Sequence, residues 1–195
     1  MHLLTEITLA DIEPWVRCSS EPHEKYSEDN LRLLAGGDSI TPLAVCDLPI
    51  PDEDKLWVLL RPEIISEKRL RLLAALIAEH VLHIFEDQFP GDNRSRNVIE
   101  AARAFARGEI SHDELRVAAE TAHAAYAANV AAETANAAYA AYAAADAETA
   151  YAATAAATAA ADAADAAAYA AECKWQVEQV REVLQEMETQ TEGKS

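Results

Sequence analysis

The sequence predicts an all-α protein: a helical hairpin core with an alanine-rich antiparallel helical layer. Three observations carry that prediction. Leu70, Leu73, Ala74, Ile77, Val81, Ile84 and Phe85 recur at spacings of three and four, the stripe of an amphipathic helix. No Gly and no Pro occurs from Glu109 to Glu192. Much of that stretch is alanine, the strongest helix former among the amino acids.

The elements follow in order. Residues 1–50 read as an irregular N-terminal segment, where several prolines and the Gly36-Gly37 pair break short helical patterns. Residues 51–195 read as an all-helical domain. Asp52, Glu53 and Asp54 open a short apolar helix, KLWVLL, which Pro62 stops. Ser66 is placed as the N-cap of the next helix, and Pro90-Gly91 ends it. Asp92 is placed to cap a helix bearing Val98, Ile99, Ala102 and Phe105, with Gly108 closing it. Ser111 and Glu114 fit the capping box, each satisfying a backbone donor of the other.

Alanine-rich helices then span about 112–172, and a closing helix, 173–188, docks on the first half through Trp175, Val177, Val180, Val183, Leu184 and Met187. A single helix over 112–188 would exceed about 100 Å in length. The chain is therefore expected to fold back into two or more antiparallel helices. The alternative is one long helix that protrudes or pairs with another chain, which leaves a homodimer through the alanine faces open. Asn129, Asn136 and the cluster from Asp146 to Thr149 are the candidate turns.

Composition limits the function. The formal charge of the 195-residue chain is −18, which opposes direct binding to nucleic acid and suits a basic partner or simple solubility. Only 6% of residues are aromatic, so the bulky part of the core must come from the first 116 residues. Cys18, Cys46 and Cys173 form no CxxC pair, so neither a zinc ribbon nor a disulfide framework is indicated. The N-terminus carries acids where a signal peptide carries basic residues, and no apolar run approaches the roughly 20 residues of a membrane span. A cytoplasmic protein without cofactors is expected.

The alanine region is patterned. Tyr151, Thr154, Thr158, Asp162, Asp165, Tyr169 and Glu172 stand three or four residues apart, which puts them on one helical stripe. Tyr126, Asn129, Glu133, Asn136, Tyr139, Tyr142, Asp146 and Thr149 form an earlier series. Between Val117 and Cys173 seven acids occur and no Lys or Arg. One reading makes these acids a solvated edge. The other makes them an acidic, tyrosine-studded surface for a basic protein, with Glu133, Tyr139, Tyr142, Asp146, Glu148, Tyr151, Asp162, Asp165 and Tyr169 as partner-binding candidates.

Two further clusters stand out. Asp92, Arg94, Arg96, Glu100 and Arg103 surround one helix start. There the arginines either bind an anion or, as the preferred reading, form a structural turn of salt bridges with Glu86, Asp87 and Glu100. Glu79, His80, His83, Glu86 and Asp87 have the spacing to offer His and carboxylate to a metal, but no second cluster completes a site, and no metal is expected. No nucleophile elbow and no glycine-rich phosphate loop is present, so nothing supports an enzyme.

The helix AEHVLHIFE, the turn FPGDNRSR, the helix IEAARAFARGE and the alanine-rich tail set with aromatics resemble the immunity proteins of bacterial polymorphic toxin systems. The resemblance is to the group related to the fifth numbered immunity family, also found in phages, and covers roughly residues 43–185. Here the turn lacks a proline between Arg94 and Arg96, and the tail carries acids and Tyr where family tails carry Arg and Trp. The resemblance implies an all-α, non-catalytic binding protein. The leading expectation is a protein that neutralises a toxin or effector by occluding a basic surface. The alternatives are a phage-encoded inhibitor of a host defence nuclease complex that acts as an acidic nucleic-acid mimic, and a structural or ice-binding alanine helix. The irregular Thr spacing opposes an ice-binding face.

Overall fold

The structure is a computed structural model and describes residues 3–16, 28–127, 140, 143, 158–160 and 168–192. It is mostly helical, in agreement with the all-α expectation. The chain runs β1 (Ile7–Thr8), α1 (Leu9–Val16), α2 (Glu28–Ala35), β2 (Ser39–Ile40), α3 (Pro42–Val45), α4 (Asp52–Leu59), α5 (Glu67–Gln88), α6 (Arg94–Arg107), α7 (His112–Ala127) and α8 (Tyr169–Glu192). Stretches 140, 143 and 158–160 are helical as well.

The first fifty residues hold more regular structure than their sequence indicates. β1 and β2 pair antiparallel, Ile7 opposite Ile40 and Thr8 opposite Ser39. Asp11 accepts hydrogen bonds from the Thr8 backbone N–H (2.8 Å) and hydroxyl (2.6 Å), which ties the strand to the start of α1. Ile7 is 1% exposed and belongs to the same buried cluster as α5. Two-residue strands leave almost no local signature; they form because Ile7 and Ile40 are drawn to one core.

Local chemistry sets the helix ends. The Thr41 hydroxyl accepts the Ala44 N–H (3.2 Å), and Pro42 occupies the first turn of α3. Three acids crowd the first turn of α4, at the positive end of the helix dipole. Ser66 holds the N-cap position of α5, yet its side chain makes no capping bond. The cap of α6 is Asn93 rather than Asp92, and Asp92 instead accepts the N–H of Arg94 (3.1 Å). Gly108 closes α6 at φ 79, a left-handed conformation that disfavours a side chain, with its own N–H and that of Glu109 bonded back to Phe105 and Ala104. The capping box at α7 forms in full: the Ser111 N–H reaches Glu114 (2.8 Å), and the Glu114 N–H reaches the Ser111 hydroxyl (3.3 Å).

α5 and α6 form the central hairpin, α7 packs on the far side of α6, and α8 lies on α4 while touching α3 and α5. Leu73, Ile77, Val81, Leu82 and Phe85 of α5 meet Val98, Ile99 and Ala102 of α6 in one core. Val177, Val180 and Leu184 bring α8 onto that core, as the apolar period of the closing helix predicts. The alanine region reaches it too. Ala140, Ala143, Ala159 and Ala160 are all 4% exposed or less, whereas Thr158 beside them is exposed. α8 begins at Tyr169, four residues before the expected start at Cys173, after a turn at Ala168 that neither Gly nor Pro announces. Among the described residues no helix is long and apolar enough to cross a membrane.

Candidate functional site

The cluster at the α5–α6 turn is a set of ion pairs. Asp92 receives the guanidinium of Arg94 through both oxygens, at 2.9 Å from Nε to Oδ1. Arg96 forks onto Glu86 (2.8 and 2.6 Å), and Arg103 forks onto Glu79. As one partner advances from Arg96 to Arg103, the other retreats from Glu86 to Glu79, the register of antiparallel helices. The Arg103–Glu79 pair is absent from the sequence reading, although the seven-residue step in both helices predicts it once Arg96–Glu86 is paired. Glu100 is exposed and lies within electrostatic range of Arg96 and Arg103 without an ion pair among the described residues. Hydrogen bonds from Arg94 and Arg103 hold the carboxyls of Asp92 and Glu79 below the usual carboxylate range.

The residues with metal-ligand spacing are directed elsewhere. Glu79 and Glu86 bind arginines, His83 Nδ1 lies 3.0 Å from the carbonyl of His80, and His80 Nδ1 lies 2.9 Å from Glu172. No group of three or more His, Cys, Asp or Glu converges on a metal position among the described residues.

Glu172 is a second feature that the sequence reading misplaces. It ends the acidic stripe of the alanine region, but in the structure it is only 6% exposed. One of its oxygens meets His80 and the other accepts from the amide of the fully buried Gln176 (2.9 Å). The signal was present, since Glu172, Cys173, Gln176, Val177, Val180 and Leu184 share one helical face. The His80 ring stacks on Trp175 at 3.8 Å and an interplanar angle of 11°. Burial pushes the neighbouring Cys173 thiol up to about 11, despite a hydrogen bond with Tyr169.

Charge is distributed unevenly. Arg32, Arg94, Arg96, Arg103, Arg107, Arg116 and Arg181 each pair with a carboxylate. Arg61 and Arg71 lie over the rings of Trp57 and Phe105. By contrast Glu178, Glu182 and Glu186, four residues apart on the exposed side of α8, make no ion pair among the described residues. Of the partner-binding candidates, Tyr169 is half-buried in the first turn of α8. Glu133, Tyr139, Tyr142, Asp146, Glu148, Tyr151, Asp162 and Asp165 lie outside the described residues. The suggested turns at Asn129, Asn136 and 146–149 lie there as well.

Compared with known proteins, residues 62–187 match the family model described as Imm-5 like putative immunity protein. No curated protein and no solved structure matches the chain.

Proposed function

The chain belongs to the Imm-5 like putative immunity protein family, and from that membership we propose a non-catalytic binding protein that neutralises a toxin or effector by occluding a basic surface. The observation that supports this reading is the charge asymmetry. Most cationic side chains of the described residues are engaged within the molecule, while Glu178, Glu182 and Glu186 line one exposed edge of α8 unpaired. The acids of the alanine region, Glu133, Asp146, Glu148, Asp162 and Asp165, extend the same excess along a stretch with no Lys or Arg. Such a surface attracts a basic protein at long range and repels nucleic acid. The tyrosines of that stretch, as amphipathic aromatics, would supply contact area at low entropic cost.

The test uses the protein encoded next to this one as the binding partner, measured by calorimetry across a salt series. Affinity should fall steeply as salt rises, because exposed charges are screened beyond about 8 Å at physiological ionic strength. Glu178→Lys with Glu182→Lys, and separately Asp162→Lys with Asp165→Lys, should each weaken binding on the order of tenfold or more with the helical spectrum intact. Binding that survives rising salt and both pairs of changes would move the interface to the apolar side chains of the first 116 residues.

A further inference from the structure

The stacked pair at the seam of α5 and α8 has a construction that its packing role does not require. His80 is half exposed, with 44% of its side chain open to solvent, yet its position is set from beneath by three groups. Trp175 covers one ring face at 3.8 Å. The Glu172 carboxylate, which can only accept, takes the Nδ1 proton at 2.9 Å. Gln176, itself 0% exposed, holds the second oxygen of Glu172. The ring is thereby locked in rotation and in tautomer. The 44% that is open belongs to the part of the ring that Trp175 and Glu172 leave uncovered, and the Nδ1–H tautomer carries its lone pair on Nε2.

A rigid face-to-face stack of His80 on Trp175, backed by a buried carboxylate, has a definite preference among ligands. The π faces attract a cation, the Nε2 lone pair accepts an N–H, and the Glu172 charge behind adds to both. A guanidinium suits it better than an ammonium, being planar, weakly hydrated and able to stack while donating in its own plane. We propose that the His80–Trp175 platform receives an arginine side chain of the basic partner. The proposal rests on the partner being basic and names the contact that anchors it. Its advantage is preorganisation: the His80 ring loses little freedom on binding because Trp175 and Glu172 already hold it.

The experiment takes the full chain with nona-arginine and nona-lysine peptides as probes, at matched ionic strength. Binding is followed by the His80 imidazole and Trp175 indole resonances. Nona-arginine should shift both resonances and bind more tightly than nona-lysine. Trp175→Leu should weaken nona-arginine about five- to tenfold and bring it level with nona-lysine. Glu172→Gln, which keeps an acceptor but removes the charge, should weaken it less, whereas His83→Ala on the adjacent turn should leave it unchanged. Circular dichroism confirms that each variant is folded, and the wild-type resonances serve as the readout should Trp175→Leu unfold. If nona-arginine binds with the His80 and Trp175 resonances unmoved, the platform is not the anchor, while the basic-partner reading stands. If neither peptide binds at low salt, the basic-partner reading falls, and this contact falls with it.

Discussion

The α5–α6 hairpin and the alanine-rich side of the molecule are both helical, but they are held together differently. In the hairpin the buried positions are large: Leu73, Ile77, Leu82, Phe85, Val98 and Ile99. Each such side chain contributes about 1.5–3 kcal/mol when fully buried. On the other side the described buried positions are methyls, at Ala140, Ala143, Ala159 and Ala160. A methyl offers little area, so packing at these positions depends on close approach and dispersion. The charges follow the same division. Hairpin carboxylates are matched by arginines across the helix pair, whereas the alanine region contains no cation to match its acids. Bulk and paired charge hold the hairpin, whereas the described alanine positions add only methyls to the same core, within a stretch of sequence that carries acids and no cation.

Substitution in the two cores tests this comparison most severely. Phe85→Ala, at a position 1% exposed, should cost about 3–5 kcal/mol in urea unfolding, because it removes area and leaves a cavity. Ala160 is 0% exposed and leaves no such slack, so Ala160→Leu should cost about 1–3 kcal/mol through overpacking. A neutral Ala160→Leu would mean that the layer is loosely packed and would break the distinction.

The ion pairs give a smaller effect. Arg103→Ala should lower stability by about 0.5–1 kcal/mol, since the pair with Glu79 is only partly shielded from water. Arg96→Ala should cost less, its side chain being 44% exposed. Both losses should shrink in high salt when thermal melts are compared. A large, salt-independent loss would show instead that the arginine stems carry packing.

Acid offers the finest test. The Asp92 and Glu79 carboxyls titrate below their ordinary range in the folded protein, because Arg94 and Arg103 donate to them. A depressed folded pKa contributes stability that is full above the unfolded value and is lost as pH falls through the folded one. Melting temperature should therefore be flat above about pH 5 with respect to these groups and decline below about pH 4. Arg103→Ala should remove the Glu79 share of that decline and leave the Asp92 share.

Much of this architecture was legible in the residues. The apolar stripe of α5, Gly108 after α6, the Ser111–Glu114 box and the apolar face of α8 all involve neighbours within four positions, so their spacing alone reports them. The turn cluster at Asp92, Arg94 and Arg96 was legible for the same reason, since a hairpin loop brings its flanks together by chain connectivity. The β1–β2 pair was not, because two-residue strands have no period to detect. Nor was the fate of Glu172. A regular stripe in an alanine background looks like one surface, but the series crosses the turn at Ala168 into a helix whose face points inward.

Sequence by itself determined where helices form, how several of them end, and that the net charge is strongly acidic; these are local or additive properties of the chain. Only the tertiary structure decided which side chains meet across long separations. Arg181 reaches Asp47 over 134 residues, Arg69 reaches Gln190 over 121, and His80 reaches Glu172 over 92. No periodicity links such positions. Their meeting depends on the register and rotation of whole helices, which the packing of all the buried faces sets together, so a half-exposed histidine and a stripe acid became one buried, hydrogen-bonded seam.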